Sequence, residues 1–256
     1  MSTANDFVLE LPTMPRSLRT IEAGGIYHVI NRGNGKRRIF RKDEDYQAFL
    51  KVLAGGLKRH PVELLAFCVL SNHWHLLLWP KTDAALPKLL AWITVTHARR
   101  YHQHYKTPGS GHVYQGRYKS FPVQDDEHFL TVARYIEANA LRAGVVPDAR
   151  KWRWCSLAQR EFGRSELPLS IWPMDRPRDW ASIVNQVMEP DAINQIHQSV
   201  IRGRPFGSMA WMQRTAARLG LKNTMNPMGR PRKPMKELSN RQKHRRIREE
   251  NGHMSG

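Results

Sequence analysis

Two hydrophobic periodicities alternate along the front half of the chain, and their order leaves few ways to fold it. Gly25–Asn31 alternates as a strand, with Ile26, His28 and Ile30 on one side and Tyr27, Val29 and Asn31 on the other. Asp43–His60 switches to three-to-four spacing through Tyr46, Phe49, Leu50, Leu53 and Leu57. That pattern predicts a helix, weakened at Gly55 and Gly56 by about 1 kcal/mol each relative to Ala. Val62–Leu70 and His73–Trp79 read as strands separated by Ser71-Asn72, and Leu86–Tyr105 as a second helix. Val113–Val123 contains a fourth strand, and Asp125–Arg142 is a third helix with acids at its start and Gly144 at its stop. The order strand–helix–strand–strand–helix–strand, then a helix, predicts an α+β chain: a ferredoxin-like βαββαβ antiparallel sheet with one added helix. That sheet hosts many activities, so function has to come from particular side chains.

The rest of the chain differs in character. Asp148–Arg178 is irregular and rich in tryptophan, and Asp179–Leu221 reads as several short helices. Three regions are expected: 1–160 as the main domain, 161–222 as a helical extension, and 223–256 as a basic, disordered tail. Charge follows this division. Of 256 residues, 41 are Lys or Arg and 22 are Asp or Glu, a net +19. Arg202–Gly256 alone holds 14 of the basic residues against 3 acidic ones. Such an excess attracts polyanions, with nucleic acid ahead of an anionic membrane surface. No apolar run approaches the ~20 residues a membrane span needs. The first sixteen residues lack the apolar region of a secretion signal. Cys68 and Cys155 are the only cysteines, too few for a disulfide framework or a cysteine zinc site. A cytoplasmic, reducing location is therefore expected.

Two groups of residues stand out chemically. In His73-Trp74-His75, strand geometry places both imidazoles on one face and the indole on the other. Two histidines converging from a rigid strand make a natural metal pair. On the third helix, at ~100° per residue, Phe129, Ala133, Ile136 and Ala140 form a packing face. His128, Thr131, Tyr135, Asn139 and Arg142 form a separate polar stripe. Tyr135 and Asn139, four apart, are expected side by side one turn from each other.

Four stretches then resemble a known family: GGIYHVINRGNGKRRIF (Gly24–Phe40), FCVLSNHWHLLL (Phe67–Leu78), YQGRYKSFPV (Tyr114–Val123) and ARYIEANALRAGVV (Ala133–Val146). In this order they are similar to the single-tyrosine HUH transposases of bacterial insertion sequences, and most of all to the REP-associated tyrosine transposases. The resemblance implies that His73 and His75 hold a divalent metal, Mg²⁺ or Mn²⁺, with Asn139 completing the site. It implies Tyr135 as the nucleophile. The expected activity is cleavage and rejoining of single-stranded, hairpin-containing DNA through a 5′-phosphotyrosine, by a monomer or homodimer associated with the bacterial nucleoid. Many relatives read YIxxNP where this chain has Ala140, a difference in helix packing rather than chemistry. The alternative is a non-catalytic DNA-binding regulator derived from such an enzyme.

Basic residues mixed with aromatics suit single strands, through phosphate contacts and base stacking. Arg32, Lys36, Arg37, Arg38, Arg117 and Lys119 are the candidates near the expected site. Arg202 and Arg204 in RGRP, and Arg230, Arg232 and Lys233 in GRPRK, resemble AT-hook segments, in which an extended chain sets arginines into a narrow minor groove.

Overall fold

The computed structural model describes residues 21–163 and 167–226. Strands β1 (Ile26–Arg32), β2 (Val62–Leu70), β3 (His73–Pro80) and β4 (Lys119–Val123) pair antiparallel in the order β2-β3-β1-β4. This is the ferredoxin-like sheet that the element order predicts. Helices α1 (Asp43–Arg59) and α2 (Ala85–His104) cover one face. Gly56, a weak point for helix α1 in isolation, is where the two helices meet. A Cβ there would lie 2.7 Å from Leu89 Cδ1 and 2.8 Å from Trp92 Cδ1, so the close approach requires glycine.

The other face carries α3 (Glu127–Glu137), α4 (Asn139–Arg142), α5 (Ser156–Phe162), α6 (Trp180–Asn185) and α7 (Pro190–Arg202), with α8 (Met209–Arg218) following. Helix α5, seven residues closed by Gly163, is too short to show a periodicity and lies in the stretch that reads as irregular. Because both faces are covered, the strands are buried almost throughout, and alternation divides their side chains between two cores. Trp74, Leu76 and Leu78 point to the α1/α2 side, and Leu77 to the α3 side. Trp172, Trp180, Val184, Ile196 and Phe206, all from the segment after residue 160, lie in that second core. No helix among the described residues is long and apolar enough to cross a membrane.

The single third helix expected over Asp125–Arg142 is two helices. Asp126 caps α3, accepting from the His128 N–H, but the helix ends at Ala138 (φ −79°, ψ 0°) and α4 restarts at Asn139. The break comes with a buried anchor. The Glu137 carboxylate accepts hydrogen bonds from the Ser156 hydroxyl and from Trp180 Nε1 at 2.6 Å, which fastens the end of α3 to α5 and α6. Burial pushes this carboxyl above its ordinary range, against the two donors that favour its charge.

Candidate active site

Strand alternation delivers the two histidines as expected. His73 and His75 share a face of β3, with ring centroids 5.0 Å apart, while Trp74 is fully buried behind them. Tyr135 comes from α3 across the same face, its ring 5.8 Å from His75 and edge-on. Asn139, at the start of α4, is buried, and its Nδ2 has no hydrogen-bond partner among the described residues. Tyr135 and Asn139 therefore stand on opposite sides of a helix break, rather than one turn apart on a continuous helix.

The local partners settle much of the protonation. His73 Nδ1 lies 2.6 Å from Asn72 Oδ1, and the Asn72 amide nitrogen donates to the Lys36 carbonyl at 3.1 Å. The Asn72 oxygen can only accept, so His73 carries its proton on Nδ1 and keeps a lone pair on Nε2. His75 Nδ1 is 2.8 Å from Nε2 of His28, a buried histidine of β1. Burial holds all three rings neutral: His73 falls to about 4, with Arg32 and Arg142 adding to the effect, His28 falls to about 3, and His75 lies well below 6.5. Two neutral imidazoles and the oxygen of an amide side chain are a donor set suited to a divalent cation.

Arg142 organises the tyrosine. Its guanidinium carbon sits 3.9 Å from the Tyr135 ring centroid, and its Nη1 donates to the Tyr135 carbonyl at 2.9 Å. Burial raises the phenol's pKa, and the Arg142 charge opposes that rise. His197, exposed on α7, stands edge-on to Tyr135 at 5.9 Å.

Three residues of this cluster were not among the sequence candidates for the site. Arg142 had a signal, since it follows Tyr135 by seven residues on the same polar stripe. His28 showed only that it shared a strand face with Ile26 and Ile30. His197 lies in the extension, where no sequence pattern tied it to the tyrosine.

The basic candidates separate into groups. Arg32, Arg117 and Lys119 border one cavity of about 310 Å³ together with Asn31, Gln115 and Val200. Arg32 is also the register partner of His73 across the β1–β3 ladder. Lys36 and Arg38 are exposed in the turn after β1, and Arg37 Nη2 donates to the His112 carbonyl at 2.7 Å.

Arg202 and Arg204 are not on a free extended arm. Arg202 ends α7, and Gly203 takes the left-handed conformation (φ 73°) that closes it. Phe206 then runs beside β4, its N–H donating to the Pro122 carbonyl at 2.9 Å and its carbonyl accepting from Gln124 at 2.9 Å. The buried Phe206 ring draws this segment onto the body, a pull that the RGRP pattern alone does not reveal. Arg230, Arg232 and Lys233 lie outside the described residues.

A second set of potential ligand atoms, from Asp126, Glu127 and His128, lies within 4.8 Å at the start of α3. Asp126 there is already occupied, accepting from both the backbone N–H and Nδ1 of His128.

The family described as Transposase IS200 like matches residues 23–139. Among solved structures, a REP-associated tyrosine transposase bound to a REP hairpin is 18% identical, with 60% of this chain and 89% of that one covered at a TM-score of 0.48. A protein described as a transposase from Deinococcus radiodurans R1 is 21% identical, with 54% and 96% covered at 0.35. No curated protein matches the chain. The family match spans β1 through Asn139 and so takes in His73, His75 and Tyr135 as well. Over residues 23–139, a little under half of its length, this chain is similar to the IS200-like transposase family.

Proposed function

We propose that this transposase nicks and rejoins single-stranded, hairpin-containing DNA with Tyr135 as its nucleophile. The observation that carries this reading is the meeting, on one sheet face, of Tyr135, the His73/His75 pair and Arg142. A phenol with an ordinary pKa near 10 is a weak nucleophile at neutral pH, so the site has to activate and orient it. The Tyr135 oxygen attacks the scissile phosphorus while the bond from phosphorus to the 3′-oxygen breaks. The phenolic proton passes to solvent, and the departing 3′-oxygen takes up a proton. The phosphodiester energy is kept in a 5′-phosphotyrosine, so attack by a 3′-hydroxyl rejoins a strand without ATP.

His73 Nε2, His75 Nε2 and the Asn139 amide oxygen are the proposed holders of a divalent cation, Mg²⁺ or Mn²⁺. When bound, it would polarise the phosphate and offset its charge. The chain's own contribution is positional. Asn72 orients His73, Glu137 pins the end of α3, and Arg142 favours the anionic phenol. Arg32, Arg117 and Lys119 around their cavity are proposed to guide the strand to Tyr135. Lys36, Arg37, Arg38, Arg202 and Arg204, with Arg230, Arg232 and Lys233 of the tail, are proposed as further phosphate contacts. The reading extends to residues 1–160 as the catalytic part, 161–222 as an accessory DNA-binding extension, and a monomer or homodimer acting on the bacterial nucleoid.

A denaturing gel tests this. Protein mixed with labelled hairpin DNAs and Mn²⁺ should give a DNA–protein band that survives SDS and disappears with Tyr135→Phe or EDTA. Tight hairpin binding with no adduct would instead favour the regulatory binder.

A further inference from the structure

His73 and His75 are alike in sequence and unlike in what holds them. His73 has an unambiguous partner, because Asn72 Oδ1 can only accept. His75 faces another imidazole, His28 Nε2 at 2.8 Å, and either ring can be the donor. The two arrangements have opposite consequences. If His28 donates, His75 accepts on Nδ1, carries its proton on Nε2, and has no lone pair there for a ligand. If His75 donates from Nδ1, its Nε2 is bare and can bind a cation. His28 then accepts on Nε2 and carries its own proton on Nδ1.

We infer that His28 is the positioning residue of the metal site: it accepts the Nδ1 proton of His75 and so fixes the ring and tautomer in which His75 Nε2 is a ligand. The inference rests on the proposed metal pair. Its support is geometric. His28 is fully buried on strand β1, in register with Leu77 of β3 and Phe121 of β4, and its ring is wedged between Phe121 at 4.8 Å and His75 at 5.0 Å. Its Nδ1 is buried with no partner among the described residues. A histidine kept for packing gains nothing from that orphaned nitrogen, whereas leucine or phenylalanine would fill the space without it. A partner that orients a ligating histidine typically changes metal affinity 10–100-fold when removed.

The test uses the full chain without DNA, with Mn²⁺ as the probe and the free-Mn²⁺ electron paramagnetic resonance signal as the readout. His28→Leu should weaken Mn²⁺ binding by about 10–100-fold. His28→Gln, whose side-chain oxygen can accept from His75, should stay within about threefold of wild type, well short of that loss. A packing role predicts the reverse order, with leucine tolerated better than glutamine. Long-range ¹H–¹⁵N spectra of the unmutated, metal-free protein give a second readout that does not depend on any variant folding. They should show His75 protonated on Nδ1 and bare on Nε2. Equal Mn²⁺ affinity in His28→Leu and wild type, or a His75 proton on Nε2, would overturn the role of His28 alone. Failure of the wild type to bind Mn²⁺ would remove the metal site itself, and the inference with it.

Discussion

Trp74 and His75 are sequence neighbours that end in opposite layers, and the two layers treat buried polar groups differently. On the α1/α2 side, Trp74 Nε1 donates to the Tyr114 hydroxyl at 3.1 Å, and that hydroxyl lies 2.7 Å from His97 Nδ1. The chain of three is closed in the sense a packed interior requires, with indole, phenol and imidazole each paired. On the α3 side, Asn139 Nδ2 and His28 Nδ1 are buried with nothing to bond among the described residues. An interior that serves only the fold satisfies its polar atoms. On the proposed reading the open atoms on the α3 side belong to a ligand site, which bears such a cost in stability until the ligand binds.

This contrast can be broken most sharply at Tyr135. Tyr135→Phe should abolish the covalent adduct while leaving hairpin affinity within about twofold, since phosphate contacts dominate nucleic-acid binding. An adduct that persisted would move the nucleophile elsewhere. The histidines come next. His73→Ala or His75→Ala should cost more than the 10–100-fold typical of a supporting residue in Mn²⁺-dependent cleavage. An unchanged Mn²⁺ titration would show that the open side binds no metal.

The pH dependence of stability probes both sides together. His28 at about 3, and His73 and His97 at about 4, lie below the ordinary 6.5 because burial disfavours the charged ring. Below 6.5 the unfolded chain takes up protons that the folded chain refuses until about 3 to 4. Stability is therefore complete above 6.5 and falls as pH drops through that window, approaching 1.4 kcal/mol per pH unit for each group. Urea denaturation at pH 7.5 and pH 5 measures this loss, and a flat profile would mean that these rings are not dry. Saturating Mn²⁺ should add about 2.7 kcal/mol at a hundred times its Kd, and the gain should vanish in His73→Ala.

Tyr114→Phe sharpens the closed side. Removing the hydroxyl strands Trp74 Nε1 and His97 Nδ1, at a cost of about 1–3 kcal/mol by thermal unfolding. Cleavage by the remaining folded protein should be unaltered. The smallest effect is expected from removing residues 227–256. The salt slope of single-strand binding should shrink by roughly 0.7 for each phosphate that the tail neutralises, and an unchanged slope would leave Arg230, Arg232 and Lys233 without a DNA role.

The site was legible wherever a local rule governs direction. Alternation alone put His73 and His75 on one face and Trp74 on the other, and the polar stripe of the third helix held Tyr135 and Asn139, with Arg142 on it but not marked for the site. It was not legible where partners are distant in sequence. The break at Ala138 comes where Glu137 meets Ser156 and Trp180, the latter 43 residues away. The RGRP segment keeps its arginines, but Phe206 seats it against β4.

By itself, then, the sequence determined the element order, the sheet it builds and the face each strand residue takes, because these follow from backbone periodicity within a few residues. Only the tertiary structure decided which ring lies against His75, what anchors the end of the helix that carries Tyr135, and that α7 brings His197 to Tyr135. Those outcomes depend on side chains 43 to 62 positions apart meeting in a dry interior, and no local pattern records such a meeting.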